Sequence, residues 1–471
     1  MRLTMICLVV LAFVTDAARA DNFTNQNAAS SVTIALDTKN PGAVIPPDFS
    51  GLSFEMSQLL PDENGNHYFS PKNKPLVRLF KTLGIKSLRA GGNTADKPTV
   101  KIPDEADIDS LFAFARAAGV KVIYTVRLRQ GDPQADAAIA KYILDHYKSR
   151  LTCIAIGNEP NFYFKDYSAY RNGWKQFMET ISTASPDVRF CGPGAGPTAW
   201  LRGFTTNFGD SGRLVFIAAH VYFAGDGHNV PDPAKARDKI LSAEFLKLYE
   251  NYWRAFVPTV LSHGLPYRLE EANNFYNGGA RDVSDTYAAA LWGLDFMHWW
   301  AAHDAAGINF HTGDNVAAGQ QITPCRYAAY LSVSNGYAAQ PLGYGIKAFS
   351  LGGRGRIVPA TITGNDGLNL TAYGAQDGKD LSLTIINKEH GDGARDIDAI
   401  IAPATKFAAG RMMLLTAPNG DVSVKTGETL GGAPIGFDGS WNGEWMPLAA
   451  PKDGRFIINI PAAAAAIVKL R

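Results

Sequence analysis

Cysteine is scarce in this chain, with 4 in 471 residues, at Cys7, Cys153, Cys191 and Cys325. So few thiols exclude a disulfide scaffold. Cys153 and Cys191 fall in apolar, strand-like runs, where a buried free thiol is the expected state; one disulfide stays open, with no readable connectivity. An excess of one charge is also missing. Lys and Arg number 45 against 44 Asp and Glu, a formal net charge of +1, so the overall balance does not point to nucleic acid or a membrane surface. Beyond the first residues no run is long and apolar enough to span a bilayer. His220, His228, His303 and His311 are scattered without metal-ligand spacing, and neither a nucleophile elbow nor a phosphate loop is present. The expectation is a chain that works with no cofactor and no metal.

What is present begins with a leader. In MRLTMICLVVLAFVTDAARA, Arg2 precedes an apolar run from Met5 to Val14 and a small-x-small site at Ala18-Arg19-Ala20. This reads as a cleaved secretory signal peptide over residues 1–20, implying a secreted or periplasmic protein. With 46% hydrophobic and 19% charged residues, the remainder has material for a large domain and a smaller one.

From residue 48 to 338, short apolar runs alternate with amphipathic helical stretches. The runs are FSGLSFE, SLRAGG, KVIYTVRL, CIAIGNEP, RFCGPGAG, VFIAAHVYF, YRLEEANN and GINFHTG. Helices are predicted between them, among them Ile108 to Ala118, Asp136 to Tyr147, Trp174 to Ala184, Arg237 to Phe256 and Asp285 to Ala305. Eight such units in under ~300 residues match the rhythm of a (β/α)8 TIM barrel. A doubly wound sheet competes, but the first run carries no Gly-rich phosphate turn. After Ala338 the helical period stops, and LNLTAYGA, LSLTIINK, RMMLLTA and RFIINIP alternate as strands of a β-sandwich over 339–471. SVTIALDT, within 21–47, alternates likewise and is expected to add an N-terminal strand to that sandwich. The Ala-rich PAAAAAIVKL reads as its tightly packed last strand.

Chemistry in such a barrel gathers where strands end, at the C-terminal face. The fourth run ends in Gly157-Asn158-Glu159-Pro160 and the seventh in Leu269-Glu270-Glu271-Ala272-Asn273. Two acids facing each other there suit glycoside cleavage, one protonating the leaving oxygen and the other attacking the anomeric carbon. A carboxyl separation of roughly 5–5.5 Å gives retention of configuration. Aromatics in NFYF, after Pro160, suit stacking on sugar rings. Strand parity puts Tyr267, Leu269 and Glu271 on one face and Arg268 and Glu270 on the other. If the first set lines the barrel, Glu271 is the nucleophile, and Arg268 and Glu270 pair with each other or with loop groups behind the sheet.

The combination of IGNEPN with LEEANNFYNGGARDVSDTYAAALWGLDFM resembles glycoside hydrolase family 79, the β-glucuronidase and heparanase family of clan A. The most specific part runs from Glu271 to Asp295, where a glutamate precedes Tyr-x-Gly-Gly and Ser-Asp-Thr. The resemblance implies a retaining enzyme with Glu159 as acid/base and Glu271 as nucleophile. It implies further that Asn158 bonds the sugar 2-hydroxyl, that Tyr276 lines the uronate subsite, and that LRAGGNT brings Arg89 and Asn93 to the site. Arg89 either holds the nucleophile ionised or forms a structural salt bridge. Tyr222 or His220 donates to the nucleophile, the other belonging to the core. Glu55 reads equally as a sugar-hydroxyl ligand or a solvated loop carboxylate. One departure concerns the uronate, which the family binds through a backbone amide and a tyrosine after the eighth strand. Gly313 supplies the amide, but no tyrosine precedes Tyr327, and Asp314 would repel a carboxylate if it faced the pocket.

The implied function is cleavage of β-glucuronide linkages in oligo- or polysaccharides such as heparan sulfate, by a monomer. Other readings are a clan A xylosidase or arabinosidase, and a non-catalytic carbohydrate-binding protein. Exo and endo action both stay open at this point.

Overall fold

The computed structural model describes residues 30–319 and 321–471. The signal-peptide reading lies outside them. Eight parallel strands close into a barrel: β1 Ser50–Glu55, β2 Ser87–Gly91, β3 Lys121–Val126, β4 Leu151–Ile156, β5 Phe190–Ala195, β6 Leu214–Asp226, β7 Tyr267–Tyr276 and β8 Ile308–His311, with β8 pairing β1. These are the eight apolar runs of the sequence, nearly all buried because helices cover their outer faces.

The helices are α1 Lys74–Leu83, α2 Glu105–Ala118, α3 Pro133–Tyr147, α4 Tyr167–Ala184, α5 Thr198–Phe208, α6 Pro233–Leu241, α7 Ala243–Ser262, α8 Tyr287–Ala302 and α9 Pro341–Gly352. Several start where an Asp precedes Pro or an apolar turn; Asp132 and Asp232 accept amides in the first turns of α3 and α6. Two helical expectations differ from the structure. The stretch Arg237 to Phe256 is broken, because Ser242 is extended and its hydroxyl accepts the Phe245 amide at 3.2 Å, capping α7. Helical structure also continues past Ala338 in α9, whose Pro341, Gly343 and Gly345 hide its period. Those glycines allow close packing: a Cβ at Gly345 would lie 2.4 Å from the Ala290 carbonyl of α8.

The second unit is the expected sandwich. Ser30–Leu36 lies between Ala360–Thr363, antiparallel, and Ile397–Pro403, parallel, with Phe456–Ile460 beyond. The facing sheet runs Val44–Ile45, Gly355–Val358, Leu370–Asp377, Asp380–Asn387, Ala464–Leu470, Gly410–Thr416 and Thr429–Leu430. The Ala-rich strand is central in it. Helix α8 is apolar on nearly every side and buried from Tyr287 to Ala301, serving both units. Its Asp295 accepts from Lys388 Nζ at 2.6 Å, Thr371 Oγ1 at 2.9 Å and Tyr373 Oη at 2.6 Å, all from the sandwich. Among the described residues no helix is long and apolar enough to cross a membrane, and Cys153, Cys191 and Cys325 are buried free thiols.

Candidate active site

The turn after β4 presents Glu159 in the left-handed region, at φ 47° and ψ 54°, a strained conformation for a glutamate. The surroundings hold it there. Its amide donates to Gly194 O at 2.9 Å. Buried Asp96 accepts the Asn158 amide at 2.6 Å and the Tyr163 hydroxyl at 2.7 Å on Oδ2, and the Leu128 and Arg129 amides on Oδ1. Of the aromatics after Pro160, Tyr163 is committed to Asp96, Phe164 packs on Tyr170, and Phe162 stands 77% exposed at the rim.

The strand carrying Glu271 does not follow simple alternation. Ala219 of β6 pairs Leu269 while its neighbour His220 pairs Glu271, and Ile308 and Phe310 of β8 pair Leu269 and Ala272. One extra residue is therefore accommodated in β7, a bulge at Glu270–Glu271. Tyr267 packs outward against Phe256 and Trp300, and Arg268 lies inside the barrel over Phe216. The interior parity is thus opposite to that expected, and the bulge turns Glu271 inward beside Glu270. Nor does Arg268 pair with Glu270; it bonds Asn309 Oδ1 at 2.7 Å and the Asp48 carbonyl at 2.8 Å.

Glu271 is buried and fully engaged. Arg89 Nη1 donates to Oε2 at 2.5 Å and Tyr222 Oη to Oε1 at 2.7 Å, while His220 and His311 each place Nδ1 3.9 Å from Oε2. Burial would raise its pKa, but His311, His220, Arg89 and the Tyr222 hydroxyl outweigh it and hold the carboxyl well below the usual range. Arg89, completely buried, uses Nη2 for Asn158 Oδ1 at 2.7 Å and Nη1 also for Ser53 Oγ at 3.0 Å. Both roles considered for it therefore coincide. Tyr222 and His220 do not divide into a donor and a core residue: Tyr222 donates to Glu271, and His220 Nδ1 lies 3.4 Å from Glu159 Oε1. Burial lowers the His220 pKa, yet Glu271, Glu159 and Glu270 together push it up to about 9.

The remaining sequence candidates divide. Asn158 Nδ2 donates to Asn93 Oδ1 at 3.2 Å, and Asn93 Nδ2 to the Ala317 carbonyl at 2.7 Å. Glu55 is not solvated; buried, it accepts from Thr94 N at 2.8 Å, Thr94 Oγ1 at 2.6 Å and Ala317 N at 3.0 Å, and so ties the loop after β8 to the barrel. Tyr276 stands at the mouth, edge-on to Tyr222 with centroids 6.5 Å apart. Gly313 lies at φ 147°, where its amide is close enough to Cys325 to temper the rise that burial imposes on that thiol. Asp314 Oδ1 accepts the Ser332 amide at 2.7 Å.

Sequence reasoning missed Asp96, Ser53, His311 and Tyr327. His311 ends β8, so the strand-end rule that picked out Glu159 and Glu271 applied to it as well; its Nε2 is 3.6 Å from Glu55 Oε1. Tyr327 packs 6.1 Å from the rings of both Tyr222 and His311, which brings a tyrosine from the loop after β8 to the site. Asp96 carries no signal outside the tertiary structure.

One atom each of Glu159, His220 and Glu271 lie within 4.8 Å of one another. That spacing alone would admit a cation, but both Glu271 oxygens already accept from Arg89 and Tyr222, and the guanidinium repels one. The donor set fits protons better than a metal.

By sequence, the chain resembles a fungal β-glucuronidase. Over 367 residues it is 24% identical to the β-glucuronidase of Aspergillus niger, covering 66% of this chain and 67% of that protein. No family model matches the chain. Its fold is that of a 4-O-α-L-rhamnosyl-β-D-glucuronidase from Fusarium oxysporum 12S, solved with Rha-GlcA (TM-score 0.72, 17% identity, 93% of this chain and 99% of that one). A GH51 arabinofuranosidase from Xanthomonas axonopodis pv. citri shares it (TM-score 0.68, 12% identity, 94% and 100%).

Proposed function

We propose that this chain is a retaining glycoside hydrolase of the family 79 type that cleaves β-glucuronide linkages. The observation that carries the reading is the asymmetric pair at the barrel mouth. Glu271 and Glu159 bring oxygens within 4.8 Å, close to the roughly 5–5.5 Å carboxyl spacing of retaining enzymes. Glu271 is buried and held ionised, while Glu159 sits at the edge of the cleft with His220 beside it. In the first half-reaction Glu159 passes its proton to the glycosidic oxygen as Glu271 forms the bond to the anomeric carbon. In the second, Glu159 takes a proton from water, which displaces Glu271. Asn158, held by Arg89, bonds the 2-hydroxyl. Tyr276, Tyr327 and the Gly313 turn supply the uronate side, and Asp314 is engaged by the Ser332 amide. A monomer acting on extracytoplasmic glycans is the setting we infer.

The test is turnover of an aryl β-glucuronide beside aryl xylosides and arabinosides, with trapping by a 2-fluoro glucuronide. Expected are turnover of the glucuronide in preference to the neutral glycosides, product of retained configuration and a covalent adduct on Glu271. Ordinary turnover by Glu271→Gly, with no adduct on the wild type, overturns the reading. Digestion of heparan sulfate with sizing of the products separates endo from exo action.

A further inference from the structure

Beneath the two glutamates assigned to bond cleavage lies a third that the reaction does not use. Glu270 is fully buried. Its Oε1 is 3.7 Å from Arg89 Nε and accepts from Cys191 Sγ at 3.5 Å, and its Oε2 is 3.8 Å from His220 Nε2. Arg89 Nε, His220 Nε2 and Glu270 Oε2 have no hydrogen-bond partner among the described residues, so charge attraction is what these contacts supply. The thiol of Cys191 adjoins Cys153 and is pushed up by burial, hence neutral. Arg268 is occupied by Asn309, main-chain carbonyls and Asp48. A buried carboxylate in this place is costly unless its charge serves the neighbours.

A charge count shows what it serves. Arg89, His220 and His311 face Glu55, Glu270 and Glu271, with Glu159 at the edge. Glu271 and Glu55 raise the His311 pKa against burial, and with both imidazoles counted as cations and Glu159 protonated, the cations and the carboxylates cancel. After attack, Glu271 is a neutral ester and Glu159 an anion, and they cancel again. Without Glu270 the cluster is one positive charge in excess in both states.

We propose that Glu270 is a positioning residue that holds His220 as an imidazolium against Arg89, so that the acid proton stays on Glu159 until the glycosidic oxygen takes it. A neutral His220, with Nδ1 3.4 Å from Glu159 Oε1, would accept that proton and leave the resting enzyme without its acid. The raised pKa of His220 agrees with this arrangement. The proposal rests on the glycoside hydrolase reading.

The experiment compares kcat/KM against pH for the full chain and its Glu270→Gln and Glu270→Asp variants. The substrates are phenyl glucuronide, whose leaving group needs a proton, and dinitrophenyl glucuronide, whose leaving group does not. Glu270→Gln should move the alkaline limb down by one pH unit or more with the first substrate, and should cost the second at least tenfold less. Glu270→Asp should restore the limb. An unchanged limb, or equal loss on both substrates at every pH, overturns the proposal. If Glu270→Gln does not fold, NMR titration of the His220 ring in the wild type decides. A ring cationic through pH 8 supports the role, and one titrating near the ordinary value of about 6.5 overturns it. That titration also stands if the wild type cleaves no glucuronide, in which case only the functional reading fails.

Discussion

Arg89 joins the two sides of the site, reaching Glu271 Oε2 at 2.5 Å through Nη1 and Asn158 Oδ1 at 2.7 Å through Nη2. One planar group thereby helps to hold Glu271 ionised, beside His311 and His220, and fixes the orientation of the side chain next to Glu159. Replacing it by Met should lower kcat by about 10²-fold or more. It should also destabilise the fold by about 3–5 kcal/mol, the cost of breaking a buried charged pair. Steady-state kinetics and urea denaturation measure both. Arg89→Lys should not rescue, because a single ammonium cannot serve both partners.

Asp96 touches no reacting atom in this scheme, yet it pins the strained turn at Glu159. Asp96→Asn places an amide against the Asn158 amide and the Tyr163 hydroxyl. Expected are a loss of about 2–3 kcal/mol in stability and a fall in kcat with the pH profile unmoved. Chemical denaturation and a pH–rate series check this; a moved alkaline limb would assign Asp96 a direct part in titration.

His220 predicts a pH-dependent stability. Its folded pKa, about 9, exceeds the unfolded value near 6.5, so the folded state binds the proton more tightly. The resulting stabilisation is fully present below about pH 6.5 and is lost as pH rises through 9, on the order of 3 kcal/mol for a shift of that size. Unfolding free energies of the wild type should drop across that window, and those of His220→Gln should drop less.

Asp295 on α8 is the polar centre of the contact between barrel and sandwich, 2.6 Å from Lys388 Nζ. Asp295→Ala leaves a buried ammonium unpaired and should cost about 3–5 kcal/mol. Calorimetry should show unfolding splitting or broadening relative to the wild type as the two units lose their coupling.

Tyr327, packed on Tyr222 and His311, is the tyrosine that the loop after β8 brings to the pocket. Tyr327→Phe should cut kcat/KM on an aryl β-glucuronide by about tenfold or more, since a site built to bond a polar group discriminates through that bond. Residual activity on aryl xylosides, where detectable, should be unaffected. Equal losses on both would argue against a uronate contact.

The alternation of eight apolar runs with amphipathic stretches determined the barrel, because burying a parallel sheet on both faces demands that pattern. Period-two alternation at both chain ends determined the sandwich. Glu159 and Glu271 were legible because strand ends in such a barrel converge on one face. Other features were decided only in three dimensions. The bulge in β7 turns Glu271 inward against simple parity, and no propensity in LEEANN announces an extra residue that only the partner strands reveal. Helix α9 was hidden by the glycines that let it approach α8. Glu55, Asp96 and Glu270 each acquire a role from partners distant in the chain, since the field at a buried carboxylate is set by what folding places beside it.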